Sequence, residues 1–235
     1  MYEAVFFDLD DTLYPYAPCN EAGKRAAFQR ARELGYEFDR AAFDERYREG
    51  RRETKRELVG TASSHERFLY FKRALERETG RSQSTDALAL GEAYWNGFLD
   101  ALDPFDDLVP TLSGLRADGL AVAVVTNLTT RIQLRKLAEL EIAETVDLLL
   151  TSQETGREKP ASVMFTLPLA RLDCRPGEVL MVGDNPETDV AGGNAVGLDT
   201  ALFDHDGDED EATRSDSQRP DYHLDSLADV REVVA

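Results

Sequence analysis

Residues 5–15 read VFFDLDDTLYP. Val5, Phe6 and Phe7 form a short unbroken apolar run that ends on Asp8, the pattern of a strand buried on both faces of a parallel sheet. Asp8 and Asp10 then place two carboxylates at alternate positions as the strand opens into a loop, and Pro15 and Pro18 break the chain beyond. In an open parallel sheet the carboxyl ends of the strands face one crevice where ligands bind. Asp8 is expected at such an end.

The same signature recurs in the C-terminal half. Helical periodicity over 109–118 gives way to a buried strand over 120–125 that ends at Thr126. A helix over 129–140, a strand over 146–150 and a helix over 162–172 follow. Then come a strand over 179–182 closed by Gly183 and Asp184, a helix over 187–195 and a strand over 199–202. This alternation predicts an α/β fold, a Rossmann-like doubly wound parallel sheet with helices on both faces.

Residues 20–102 read differently. Phe43, Tyr47, Thr54 and Leu58 recur at helical intervals, as do Phe68, Phe71 and Leu75, and Leu88, Trp95 and Leu99, with no strand-like alternation. Four helices are expected, starting near Asn20, Asp39, Ser64 and Thr85, with Gly35, Gly60 and Gly80 as stops. The expected division is a core domain of residues 1–16 and 103–235, interrupted by a helical bundle over 17–102.

Charge divides the chain in the same way. From Cys19 to Asp100 there are 16 bases and 15 acids, a net of +1; the rest carries 11 bases and 31 acids, a net of −20. The total of −19 opposes binding to a nucleic-acid backbone. No stretch approaches the ~20 apolar residues of a membrane span, and the N-terminus has no basic segment or cleavage site of a leader. Cys19 and Cys174 supply neither a disulfide framework nor zinc-ligand spacing. A cytoplasmic protein is expected. Only Lys24, Lys55, Lys72, Lys136 and Lys159 are lysines among 27 bases. Heavy acid loading with so few lysines predicts a halophilic protein, stabilised where salt screens self-repulsion.

Asp8, Asp10, Asp184 and Asp189 are the residues most suited to chemistry. Clustered carboxylates repel one another and need a cation, and an all-oxygen donor set suits Mg2+ better than zinc. Lys159, beside Pro160, offers a compact point charge for a phosphoryl oxygen or a carboxylate. Asp11, Asn185 and Glu187 read as caps or loop residues, and His65, His205 and His223 as surface or structural. The acidic stretch DHDGDEDE over 204–211 lacks the spacing of an EF-hand and reads as a solvated loop. Arg48, Arg51, Arg52, Lys55 and Arg56 share one helical face, but Glu45, Glu49, Glu53 and Glu57 run beside them, as on a salt-bridged solvent face.

In their order these pieces resemble the haloacid dehalogenase-like (HAD) hydrolases. DLDDTLYP (8–15) matches the family's DxDx[T/V] motif, VVTN (124–127) the strand ending in Thr or Ser, EKP (158–160) the lysine motif, and GDNPETD (183–189) the GDx4D motif. The resemblance implies a nucleophilic Asp8 that forms an aspartyl-phosphate, and an Asp10 that protonates the leaving oxygen and then deprotonates water. It implies Mg2+ held by Asp8, the backbone carbonyl of Asp10 and Asp184, with Thr12 and Asp189 in support. Thr126, Asn127 and Lys159 would bind the transferring phosphoryl group. The helical segment corresponds to the cap that many members insert after the first motif. The function so implied is a Mg-dependent phosphatase of small phosphorylated metabolites or other anionic substrates. A 2-haloacid dehalogenase or phosphomutase on the same fold is an alternative, although dehalogenases lack the second aspartate that Asp10 supplies. From another class, a phospho-accepting receiver module fits less well because its lysine follows its acids, and a non-catalytic binding protein would not need every motif residue.

Overall fold

The computed structural model describes residues 1–204 and 214–235. The acidic stretch over 204–211 thus lies, beyond Asp204, outside the described residues, as does His205. The chain divides into two compact units, Met1–Pro15 with Asp103–Ala235, and Tyr16–Leu102.

The first unit is an α/β layer structure. Six strands, β1 (Ala4–Phe7), β2 (Ala121–Thr126), β3 (Leu148–Thr151), β4 (Val179–Gly183), β5 (Asp199–Phe203) and β6 (Tyr222–Leu224), form one sheet in the order β3-β2-β1-β4-β5-β6, all parallel. The sheet grows from β1 in both directions, so the strand order reverses between β1 and β4. That reversal is where an open α/β sheet leaves a crevice at its carboxyl end. Register brings the ends of three strands level, since Phe7 pairs with both Val124 and Val182. Phe6, Val125, Met164, Phe165 and Met181 form one dry layer, and Val5 and Phe7 are equally buried on the opposite face.

The helices of this unit follow the apolar periodicity closely. In chain order they are numbered after the four helices of the second unit: α5 (Leu108–Ala117), α6 (Thr130–Glu139), the single turn α7 (Ser152–Thr155), α8 (Val163–Leu172), α9 (Ala191–Val196) and α10 (Asp229–Val234). The helix expected over 187–195 is instead a π-turn, Pro186–Val190, followed by α9. Asn185 causes this start: its Oδ1 accepts from the backbone of Glu187 (2.9 Å) and Thr188 (3.1 Å). Strand β6 and helix α10 give no sequence signal of their own, because a three-residue edge strand carries no apolar run.

The second unit holds α1 (Tyr16–Glu33), α2 (Arg40–Glu57), α3 (Arg67–Thr79) and α4 (Ser84–Leu99). Helix α1 begins earlier than expected. Pro18 does not break it, since a proline in the first turn forfeits an N–H that has no intrahelical partner. Asp39 caps α2 by accepting from Ala42 N (2.8 Å). Helix α3 starts at Arg67 rather than Ser64, after a 3-10 turn at Ala62–His65. Its core is aromatic: Tyr70, Phe71, Tyr94, Trp95 and Phe98 are each at most 1% exposed. Leu88, expected on that face, is 53% exposed; the buried row of α4 is Ala87, Leu90, Tyr94 and Phe98. At Gly97 an added Cβ would sit 2.6 Å from Ala26 Cβ, so only glycine lets α1 and α4 approach this closely. No helix among the described residues is long and apolar enough to cross a membrane.

Candidate active site

Asp8 is fixed by the sheet before any side chain contributes. Its backbone N–H donates to Val182 O (2.9 Å), extending the β1–β4 ladder by one rung. The chain then turns tightly: Leu13 N donates to Leu9 O (3.0 Å), and Asp11 takes a left-handed φ of 63°. Asp11 is therefore a turn residue, one of the few types that tolerate this conformation.

Lys159 lies at the centre of the site. Its side chain is 2% exposed, with Nζ 2.6 Å from Asp8 Oδ1 and 2.7 Å from Asp189 Oδ1. Burial alone would push the ammonium toward its neutral form, but Asp189 and Asp8 outweigh it and raise its pKa above the usual lysine range. Asp189 is held in turn by the backbone of Asn185, which donates to its Oδ2 (3.2 Å). Gly183 must be glycine here, because a Cβ would lie 2.4 Å from Asp189 Oδ2. Asn127 supports the lysine loop: its Oδ1 accepts from Lys159 N (2.8 Å), and its Nδ2 lies 3.5 Å from Lys159 O.

Asp184 follows β4 and is tied to the turn after β1. Thr12 Oγ1 donates to its Oδ1 (3.1 Å), and Asp184 N donates to Thr12 Oγ1 (3.1 Å). Thr126, ending β2, is buried, and its hydroxyl oxygen accepts from Gln133 Nε2 (2.7 Å). Among the described residues the hydroxyl proton meets no hydrogen-bond acceptor.

Asp8, Asp184 and Asp189 each present a carboxylate oxygen within 4.8 Å of the others. Burial pushes the Asp8 carboxyl up to about 7; Asp189 and Asp10 add to this, and Lys159 opposes it. Burial, followed by Asp8 and Asp189, pushes Asp184 up to about 8. One lysine does not neutralise three such groups. The donor set, all oxygen and all anionic, suits a hard divalent cation.

Asp10 has different partners. Its Oδ1 accepts from Lys136 Nζ (2.5 Å) and from the Tyr14 hydroxyl, and Lys136 Nζ lies 5.8 Å from the centre of the Tyr14 ring. Neither Lys136 nor Tyr14 figured among the candidates read from the sequence. A signal existed for Lys136, since it is one of five lysines in an arginine-rich chain, the same rarity that singles out Lys159. It is fully buried, on a helix whose periodicity reads as an ordinary amphipathic one.

Comparison with known proteins places this geometry. The family described as haloacid dehalogenase-like hydrolase matches residues 2–197. The ribulose-1,5-bisphosphate 5-phosphatase of Halopiger xanaduensis is 55% identical, over the whole of both chains. The glyceraldehyde 3-phosphate phosphatase of Methanopyrus kandleri is 32% identical over all of this chain and 97% of its own. Among solved structures, a 2-haloacid dehalogenase from Pseudomonas syringae superposes with a TM-score of 0.77 at 25% identity, covering 100% of this chain and 98% of that one. A phosphatase from Thermococcus onnurineus gives 0.76 at 24% identity, with 100% and 98% covered, and so supports the fold alone. The strand-end aspartates, the buried lysine between them and this full-length similarity agree: the chain belongs to the haloacid dehalogenase-like hydrolases, as an enzyme of phosphatase type.

Proposed function

We propose that the enzyme hydrolyses the phosphate monoester of a small phosphorylated sugar, by way of a phosphoryl group carried on Asp8. The observation that carries this reading is that the two aspartates of the first motif have different partners. Lys159 holds one oxygen of Asp8 and leaves Oδ2 without a partner among the described residues. Asp10 instead accepts from Lys136 and Tyr14. A nucleophile and an acid–base group need such separate settings.

In the first half-reaction an Asp8 oxygen attacks phosphorus and the ester P–O bond breaks, the leaving alkoxide taking a proton from Asp10. In the second, water attacks the phosphorus of phospho-Asp8, gives its proton to Asp10 and frees the Asp8 carboxylate. Lys159 and the Thr126 hydroxyl bind the phosphoryl oxygens, where charge is spread in the transition state. Asp8, the Asp10 carbonyl and Asp184 would hold Mg2+, with Thr12 and Asp189 keeping Asp184 and Lys159 in place. When bound, the ion supplies positive charge that returns Asp8 and Asp184 to their ionised forms and offsets the substrate phosphate. The helical unit is an inserted cap domain that selects substrate.

The sugar-phosphate assignment rests on the two full-length relatives, both named as phosphatases of phosphorylated sugars or a triose. Phosphate release from a panel of sugar mono- and bisphosphates, with Mg2+ in concentrated KCl, tests it. Turnover of nitrophenyl phosphate with none of any sugar phosphate would overturn the substrate class and leave the phosphatase chemistry standing.

A further inference from the structure

An amphipathic helix against a sheet buries an apolar face, and Ile132 and Leu137 of α6 are buried in that way. Gln133 and Lys136 depart from the pattern. They are three residues apart, hence on one side of the helix, and both are fully buried. Lys136 reaches Asp10, whereas Gln133 reaches Thr126, its Nε2 lying 2.7 Å from Thr126 Oγ1. The plain account of a buried glutamine is a core residue with its amide satisfied at both ends. Gln133 does not fit that account. Its Oε1 is buried and has no partner among the described residues. A buried acceptor left unpaired is costly, and an apolar side chain of the same length would avoid the cost.

A third group fixes which end of the amide meets Thr126. Asn127 O lies 3.5 Å from Gln133 Nε2. A carbonyl oxygen only accepts, so an amide turned end for end would set two oxygens against each other there. Nitrogen toward Thr126 is therefore the favoured orientation, and it decides what the hydroxyl can do. With Gln133 donating to its oxygen, the Thr126 O–H must point away from the amide, and among the described residues none receives it. Turned the other way, the amide oxygen would take that proton itself.

We propose that Gln133 is a positioning residue that holds the Thr126 hydroxyl as a donor toward the phosphoryl group. The proposal rests on the phosphoryl-binding role given to Thr126 above and extends it by one residue. A donor oriented in advance needs no reorganisation as charge develops on the phosphoryl oxygens. Hydrogen bonds in a chain also polarise one another. A phosphate that accepts from Thr126 thus strengthens the bond that Thr126 accepts from Gln133.

Two measurements on the full chain test it. In the first, kcat and KM for nitrophenyl phosphate with Mg2+ are compared in the Gln133→Met, Thr126→Val and doubly substituted proteins. Methionine keeps the length of glutamine and removes both the donor and the unpaired oxygen. Losing one such donor outright costs ~10²–10³-fold in kcat, so losing only its orientation should cost about 10-fold, with KM little changed. In the Thr126→Val background the same substitution should change kcat less than about 2-fold, because no hydroxyl remains to be oriented. Equal factors in both backgrounds would overturn the proposal and leave the role of Thr126 standing. Full activity in Thr126→Val would remove that role, and the proposal with it. In the second, the Gln133 side-chain amide of the unaltered protein is followed by NMR as inorganic phosphate is added with Mg2+ at constant ionic strength. The proton facing Thr126 should move downfield and saturate, and the shift should be lost in the Thr126→Val protein. A resonance that stays still, or moves equally in both proteins, would overturn the proposal.

Discussion

The two units of this protein handle charge in opposite ways. The α/β unit carries 11 bases and 31 acids, the helical unit 16 and 15. In the first, the buried charges Lys136, Lys159 and Asp189 all belong to the strand-end site. In the second, Arg67 is buried among aromatic rings, and most surface arginines are matched by glutamates. An acid in the α/β unit therefore gains meaning from its position relative to a strand end, which the order of residues reveals. An arginine in the helical unit gains meaning from whether its neighbour cancels it, which only pairing in three dimensions shows.

The largest effects should fall on the α/β side of that comparison. Asp8→Asn keeps size and shape but removes the attacking carboxylate, so turnover should vanish on every substrate. Asp10→Asn keeps the nucleophile and loses proton transfer, which contributes ~10²–10⁴-fold. The loss should be greater on alkyl phosphates than on nitrophenyl phosphate, whose leaving group needs no proton. Phospho-Asp8 should accumulate in the Asp10→Asn protein, visible by rapid quench and intact mass. Full activity in Asp8→Asn would sink the covalent route; equal losses on both substrates with no trapped phosphoryl group would sink the role of Asp10. Lys136→Met retains buried volume and removes the charged one of the two donors, Lys136 and Tyr14, that anchor Asp10. A misplaced catalytic group can cost on the order of 10²-fold, so kcat on alkyl phosphates should fall by up to that much while KM changes little. Unchanged kcat would reduce Lys136 to a packing residue.

Why Lys136 escapes a reading of the sequence while Lys159 does not is instructive. Lys159 sits in a loop beside proline, where a lysine has no packing reason to be. Lys136 sits mid-helix at Thr130–Glu139, where any lysine reads as solvent-facing. The strands were legible for the converse reason: Val5, Phe6 and Phe7, or Val179 to Val182, have no polar face, and only a doubly covered parallel strand reads so. Thr126 and Asp184 follow from strand ends, and Thr12 only from the resemblance of the first motif. Asn127 sits beside them, but its bonds to the Lys159 backbone depend on a loop 32 residues away. Arg51 illustrates the limit on the helical side. Its spacing from the glutamates is that of its neighbours, yet among the described residues no acid pairs with it, while Arg48 and Arg52 both meet Glu45.

Metal and pH should act together on the acidic site. Asp8 and Asp184 are pushed up to about 7 and about 8 from 3.8. Between pH 4 and 8 the metal-free folded chain therefore holds protons that the unfolded chain has lost. With more protons bound in the folded state, stability falls as pH rises through that window, and the deficit is complete above pH 8. Mg2+ competes with those protons and should flatten the slope. Ligand at 100 times its Kd adds about 2.7 kcal/mol, which for a chain of this size is roughly 5–10 °C in Tm. The gain from Mg2+ should be largest near pH 8 and small near pH 5. A gain independent of pH would place the ion elsewhere than on these carboxylates.

Salt should separate the two units by the smallest effect, and the most diagnostic one for the charge comparison. The Debye length shrinks from ~10 Å at 0.1 M to ~3 Å at 1 M, so KCl relieves repulsion among surface acids that lie farther apart than a contact. Such relief is available where the net charge is −20 and is nearly absent where it is +1. Added KCl should even loosen the helical unit slightly, because it screens attractive pairs such as Arg77 with Glu53 and Lys72 with Glu76. Hydrogen exchange read by mass spectrometry at both salt concentrations resolves the two. Protection of β1, β2 and β4 should rise with KCl, while that of α1 to α4 stays level or falls. The single tryptophan, Trp95, lies in the helical unit, so its fluorescence melting curve should shift less with salt than the exchange of the strands. If both units gain protection equally, salt acts by general exclusion from the surface rather than by screening, and the charge asymmetry does not set their stabilities.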